Sequence, residues 1–91
     1  MPYIPQADRK VFDRTLTVLI GAVAERGLSN GELNYLFTKI ANIYIDRHGL
    51  SYNTGSDVIK AFECAKLELY ARVMRPYEDR KIAENGDVFN G

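Results

Sequence analysis

The hydrophobic positions of this chain recur every three or four residues in three long segments. In the first segment the apolar stripe is formed by Phe12, Leu16, Leu19, Ile20 and Val23. This spacing places side chains on one face of an α-helix and predicts a helix over residues 7–26. No segment shows the strict apolar–polar alternation of a half-buried strand. The pattern therefore predicts an all-α protein.

The second segment has the clearest helix start in the chain. Ser29 is followed three residues later by Glu32, the spacing of a capping box in which each side chain accepts a backbone N–H of the other residue. Gly49 provides a stop, so we predict a helix over residues 30–48. Its apolar face is wide, as is typical of a central helix. That face consists of Leu33, Leu36, Phe37, Ile40, Ile43 and Tyr44.

The third segment predicts a helix over residues 55–74, capped by Thr54 or Ser56. A further helical pattern covers residues 76–85 and ends at Gly86. Pro76 lies between them, and because proline lacks an N–H it either kinks one helix or starts another at its first position. The core stripe of this segment consists of Val58, Ile59, Phe62, Ala65, Leu69 and Val73.

Three amphipathic helices with short connections are expected to pack as an up-down bundle within one domain, residues 1–91. The C-terminal helical extension, bent at Pro76, has few apolar partners in so short a chain. We therefore expect a homo-oligomer, most simply a two-fold dimer. The interface residues expected on this extension are Tyr70, Met74, Tyr77 and Ile82.

Composition narrows the classes of partner. The chain has 12 basic and 12 acidic residues, so it lacks the positive excess with which proteins neutralise nucleic-acid phosphates. It has no run of roughly 20 apolar residues that would span a bilayer, and residues 1–5 lack the features of a signal peptide. We therefore expect a cytoplasmic protein that contacts no membrane. The single cysteine, Cys64, is expected to be a small buried hydrophobe.

Basic and aromatic side chains cluster around Pro76 and suggest an anion site. Arginine forks suit phosphate groups, and tyrosine rings can stack on bases. Glu78 and Asp79 lie in the same stretch, so the cluster is mixed in charge. The candidate ligand-binding residues are Lys39, Arg72, Arg75, Tyr77 and Arg80.

Catalytic motifs are absent from the sequence. No P-loop, HExxH helix or nucleophile elbow occurs. Glu63 and Glu68 could be considered magnesium ligands of a helical pyrophosphatase, but five residues separate them and place them on different helix faces. We therefore expect no catalytic residues, no metal site and no cofactor.

Three strings of the sequence resemble a known family. They are MPYI at residues 1–4, GELNYL at residues 31–36 and PYEDRKIAENGDV at residues 76–88. They are similar to a family of small uncharacterised all-helical proteins found in phage and bacterial genomes. The resemblance implies a cytoplasmic protein of a prokaryotic or phage-infected cell, and it brings no catalytic residues with it.

Three functional hypotheses follow from the sequence. The first is a non-enzymatic, oligomeric helical interaction protein that acts as a phage accessory factor, with an unknown protein as its partner. The second is a sponge that sequesters cyclic nucleotides or other anionic immune signals in pockets between subunits. The third, and least favoured, is a metal-dependent nucleotide pyrophosphatase.

Overall fold

A computed structural model describes residues 2–89 as a succession of helices, with no strand in that range. The α-helices are α1 (Gln6–Arg26), α2 (Asn30–His48), α3 (Tyr52–Leu69) and α4 (Arg75–Asn85). The all-α prediction is confirmed, and the up-down bundle stays a prediction. None of these helices combines the length and apolarity that crossing a bilayer demands. Met1, which begins the MPYI string, and Asn90 and Gly91 of the tail lie outside the described residues.

The start of α2 is the predicted capping box. The Glu32 N–H donates to the Ser29 hydroxyl at 3.1 Å, and the Ser29 N–H donates to the Glu32 carboxylate at 3.0 Å. Arg26, the last residue of α1, lies 2.8 Å from the same carboxylate. The hydrogen bonds from Ser29, followed by Arg26, lower the pKa of Glu32. One carboxylate therefore caps α2 and ties it to the end of α1.

The start of α3 differs from the prediction. The helix begins at Tyr52, three residues before the expected position, and neither Thr54 nor Ser56 is its cap. The Ser51 hydroxyl accepts the Thr54 N–H at 3.1 Å and lies 3.0 Å from the Thr54 hydroxyl. Ser51 takes this role because its position satisfies an N–H of the first turn, which has no partner inside the helix.

Glycine ends α1, α2 and α4, as predicted for Gly49 and Gly86. Gly27, Gly49 and Gly86 follow α1, α2 and α4 with φ values of 76°, 83° and 91°. These values lie in the left-handed region, where a residue with a Cβ is strained. In each case the glycine N–H donates to the carbonyl four residues earlier and closes the last turn.

The chain passes Pro76 without a break. A π-helical segment, Tyr70–Met74, joins α3 directly to α4, and the Arg75 N–H donates to the carbonyl of Tyr70, five residues earlier. Since Pro76 has no N–H, the turn before it has lost an ordinary helical donor. A π turn at this point accommodates one extra residue while the helix continues. The expected choice between a kink and a new helix is thus resolved as one continuous helical path.

Two compact units divide the chain, one covering Tyr3–Val58 and one beginning at Ile59. In the first unit the Tyr44 hydroxyl donates to Asp57 at 3.2 Å, which connects α2 with the start of α3. Burial and this hydrogen bond raise the pKa of Tyr44. The Tyr44 ring also lies 4.3 Å from the His48 ring, at the last residue of α2.

Apolar burial is slight throughout residues 2–89. Thr54, at 7% exposure, is the one buried residue in this range, and no apolar side chain there is buried. Cys64, which the sequence predicts to be buried, is half-buried. On α2, Ile40 and Ile43 are 61% and 68% exposed although they lie on its wide apolar face. Each unit therefore leaves apolar helix faces uncovered by its own residues.

Candidate functional site

The π-helical segment aligns side chains that an ordinary helix would separate. Tyr70 and Glu78 are eight residues apart, which in an α-helix turns them about 80° away from each other. The π turn absorbs one residue, so their effective spacing is seven, two turns along one face. Tyr70, Arg75 and Glu78 consequently form one polar cluster on the outside of the helix.

The electrostatics of this cluster follow from its hydrogen bonds. Hydrogen bonding to the Glu78 carboxylate, with its negative charge, raises the pKa of Tyr70. Arg75 lies 3.0 Å from Asp79, one turn further along α4. The charge of Asp79, followed by a hydrogen bond with Tyr70, raises the pKa of Arg75. The guanidinium that the sequence assigns to an anion site thus already has an anionic partner.

Tyr77, another predicted site residue, has cations on its ring. Arg80 and Lys81 lie 5.8 Å and 5.5 Å from the ring centroid, within cation–π range. Lys81 is also paired with Glu84 at 3.2 Å. Tyr77 and Arg80 therefore lie together in a patch that carries both signs of charge, and their part in ligand binding stays a prediction.

The remaining predicted residues are distributed between the two units. Arg72 and Met74 lie within the π-helical segment, and Ile82 is half-buried on α4. Lys39 belongs to the first unit, where it lies 5.8 Å from the ring centroid of Tyr35.

A groove of about 400 Å³ runs beside α4, between the helix and the chain that follows it. Its lining includes two basic residues, Arg75 and Lys81, and two acidic residues, Glu78 and Asp87. Ile82 and the exposed Phe89 supply apolar surface. The groove suits an amphipathic or mixed-charge ligand better than a simple anion.

A second groove, of about 240 Å³, lies in the first unit where α1 ends and α2 begins. Leu19, Val23 and Leu36 make it mainly apolar, while Arg26 and Glu32, which form the ion pair, also line it. It shows that the two helix ends do not fill the space between them.

The sequence interpretation missed the role of Leu69 as the centre of an exposed apolar strip. Leu69 follows Phe62 by seven positions, and Tyr77 follows Leu69 by eight positions. The π turn accommodates one of those eight, so the second spacing is equivalent to seven positions of α-helix. Val73 lies between the last two and is 54% exposed. We call Phe62, Leu69, Val73 and Tyr77 the Leu69 strip. The change of spacing from seven to eight just before Pro76 is the sequence signal that could have revealed it.

Metal-ligating residues do not converge in the described part of the chain. No group of three or more His, Cys, Asp or Glu side chains able to hold a metal ion occurs between residues 2 and 89.

Comparison with known proteins gives one match. The sequence model of a family described as "Domain of unknown function (DUF6899)" matches residues 1–88. The chain belongs to the DUF6899 family. No curated protein and no solved structure matches the chain. Membership in DUF6899 agrees with the expected resemblance to an uncharacterised family, and the phage or bacterial origin stays a prediction.

Proposed function

We propose that this DUF6899 chain is a non-enzymatic helical interaction protein that acts as a homo-oligomer, with an apolar core that forms between copies. The observation that supports this most strongly is that no apolar side chain among residues 2–89 is buried. Apolar residues nevertheless make up much of the chain, at 46%. Burial of apolar surface is the main favourable term in folding, so a chain of this composition needs a further surface to bury against.

The test is the mass of the assembly and its dependence on concentration. We expect light scattering after gel filtration to give a multiple of the 10.3 kDa chain mass. We also expect the melting temperature to rise with protein concentration, because association stabilises the folded state by mass action. A monomer that unfolds cooperatively, with a melting temperature independent of concentration, would contradict the proposal.

The groove beside α4 supports a second candidate, the sponge for anionic nucleotides. Its volume suits a small ligand. Arg75 and Lys81 provide donors, although Glu78 and Asp87 balance their charge. Native mass spectrometry of gently purified protein decides between the candidates. An assembly carrying extra mass of nucleotide size favours the sponge, and a ligand-free assembly favours the interaction protein.

A further inference from the structure

We infer that the groove beside α4 is a binding site for a small organic cation, one that carries ammonium groups on an aliphatic body. Every residue that lines the groove belongs to the unit that begins at Ile59. The inference goes beyond the proposed function, because one copy of the chain is enough to form the groove. It also assigns the groove a ligand of the opposite charge to a nucleotide.

The walls of the groove are suited to a small organic molecule. Gly86 ends α4, so the helix forms one wall and the chain after Gly86 forms the other. Ile82 supplies apolar surface from the helix, and Val88 and Phe89 supply it from the opposite wall. Val88 and Phe89 are 87% and 81% exposed, so a ligand can reach them. The volume of about 400 Å³ is in the range of small-molecule sites.

The two basic side chains of the groove are paired with carboxylates that lie outside it. Arg75 lies 3.0 Å from Asp79, and Lys81 lies 3.2 Å from Glu84. Neither of these carboxylates lines the groove. The charge of Asp79 is the largest cause of the raised pKa of Arg75, and the charge of Glu78 is the smallest. The positive charges of the groove are therefore balanced from outside.

The two acidic side chains of the groove have neutral partners instead. The Tyr70 hydroxyl donates to the Glu78 carboxylate, and the Phe89 N–H donates to Asp87 at 2.9 Å. The ion pairs formed among residues 2–89 include neither Glu78 nor Asp87. The groove also lies at the C-terminal end of α4, where the helix dipole favours cations. It is therefore negative in character although its basic and acidic residues are equal in number.

This charge complementarity favours an aliphatic amine over other small molecules. An ammonium group brings three donors and no acceptor, which matches a carboxylate that has only neutral partners. The methylene groups of the amine can lie against Ile82 and Val88, and the Phe89 ring attracts a cation placed over its face. The formal net charge of the chain is zero, so non-specific attraction of cations is small. Binding by the groove can then be distinguished from a general charge effect.

The first experiment compares three ligands of one chain length by ¹H–¹⁵N NMR titration at constant pH and ionic strength. Cadaverine carries two ammonium groups, pentanediol is its neutral counterpart, and glutarate is its anionic counterpart. We expect cadaverine to give saturable shifts at the amides of Ile82, Gly86 and Val88, which weaken as salt is added. Equal shifts with the diol or glutarate, or no saturable shift with cadaverine by about 10 mM, would overturn the inference.

The second experiment removes single negative charges. Glu78→Gln and Asp87→Asn are each expected to weaken cadaverine binding about 3-fold or more. Asparagine at position 87 keeps the side-chain oxygen that accepts the Phe89 N–H. Glu63→Gln is the matched control, because it removes the same charge from α3, where Glu63 is paired with Lys66 at 3.1 Å.

We expect Glu63→Gln to bind cadaverine as the wild type does. An equal loss in all three variants, or no loss in Glu78→Gln and Asp87→Asn, would show that the amine is not held by the groove. The mass of the assembly is measured separately. A monomer that binds cadaverine would contradict the proposed function and leave this site in place, whereas an oligomer that fails to bind it would do the reverse.

Discussion

The hydroxyl of Tyr70 and the carboxylate of Glu78 meet across eight residues of one helical path because the π-helical segment Tyr70–Met74 absorbs one of those residues. Eight residues of regular α-helix would separate the two side chains by about 80°. The contact between these two side chains is therefore a consequence of the π turn. The same change of register places the side chains of the Leu69 strip on one face of the helix.

Replacing Glu78 is expected to lower the pKa of Tyr70. The hydrogen bond and negative charge of Glu78 raise that pKa above its ordinary value of 10.0, so Glu78→Gln should move it back towards 10.0. A ¹³Cζ-tyrosine NMR titration, with Tyr70 assigned through Tyr70→Phe, measures the change. Glu84→Gln removes the same charge from α4 beside Lys81 and should leave Tyr70 unchanged. An equal shift in both variants would argue against the Tyr70–Glu78 contact.

The same contact predicts a stability change at alkaline pH. Because folding raises the pKa of Tyr70, the folded state holds this proton more tightly than the unfolded state does. The resulting stability is fully present below pH 10.0 and is lost as the pH rises through the folded pKa. We expect the free energy of unfolding of the wild type to fall more steeply above that pH than in Glu78→Gln. Parallel curves would contradict the prediction.

Replacing Ser51, the cap of α3, should lower the stability of the protein, whereas replacing Ser56 should have little effect on stability. The Ser51 hydroxyl accepts the Thr54 N–H, so Ser51→Ala is expected to lower the free energy of unfolding by about 1 kcal/mol. Ser56→Ala changes the same residue type inside the helix, where alanine is favoured. Urea unfolding at one fixed protein concentration compares them. A larger loss at Ser56 would place the cap where the sequence pattern first suggested it.

Gly21 and Gly27 are expected to respond to alanine in opposite directions. A Cβ at Gly21 would meet no atom of the described residues within 4 Å, so the helix has room there for a methyl group. Gly21→Ala should therefore stabilise the protein by about 1 kcal/mol. Gly27 has a φ of 76° and a ψ of −174°, a conformation that residues with a Cβ rarely adopt, so Gly27→Ala should cost about 1–3 kcal/mol. Thermal unfolding at matched concentration measures both. A destabilising Gly21→Ala would show that another chain approaches there.

The capping box of α2 predicts a stability loss in acid. The hydrogen bonds from Ser29 lower the pKa of Glu32 below its ordinary 4.5. Their contribution is present above 4.5 and is lost as the pH falls through the folded pKa. Glutamine keeps the box geometry but does not titrate. In urea unfolding between neutral pH and the acid side of 4.5, the wild type should lose more stability than Glu32→Gln. Equal losses would contradict this.

The sequence by itself determined the helical class and most helix ends, because those depend on neighbouring residues. The capping box of Ser29 and Glu32, and the glycines at 27, 49 and 86, act within one turn of chain and are visible as short patterns. The start of α3 was placed too late because both Ser51 and Thr54 are good caps. Capping propensity alone does not show which of the two residues is the cap. The hydrogen bond from the Thr54 N–H to the Ser51 hydroxyl identifies Ser51.

Only the tertiary structure decided how the chain passes Pro76 and which side chains meet there. Proline removes one donor, and the sequence is compatible with a kink, a break or an inserted residue. The π turn at Tyr70–Met74 resolves this choice and shifts every later side chain by one position around the helix. It thereby joins Tyr70 to Glu78 and places Leu69 and Tyr77 on one face. The hydrophobic periodicity also could not predict burial. An amphipathic pattern shows which helix face is apolar, but not whether another part of the same chain covers that face.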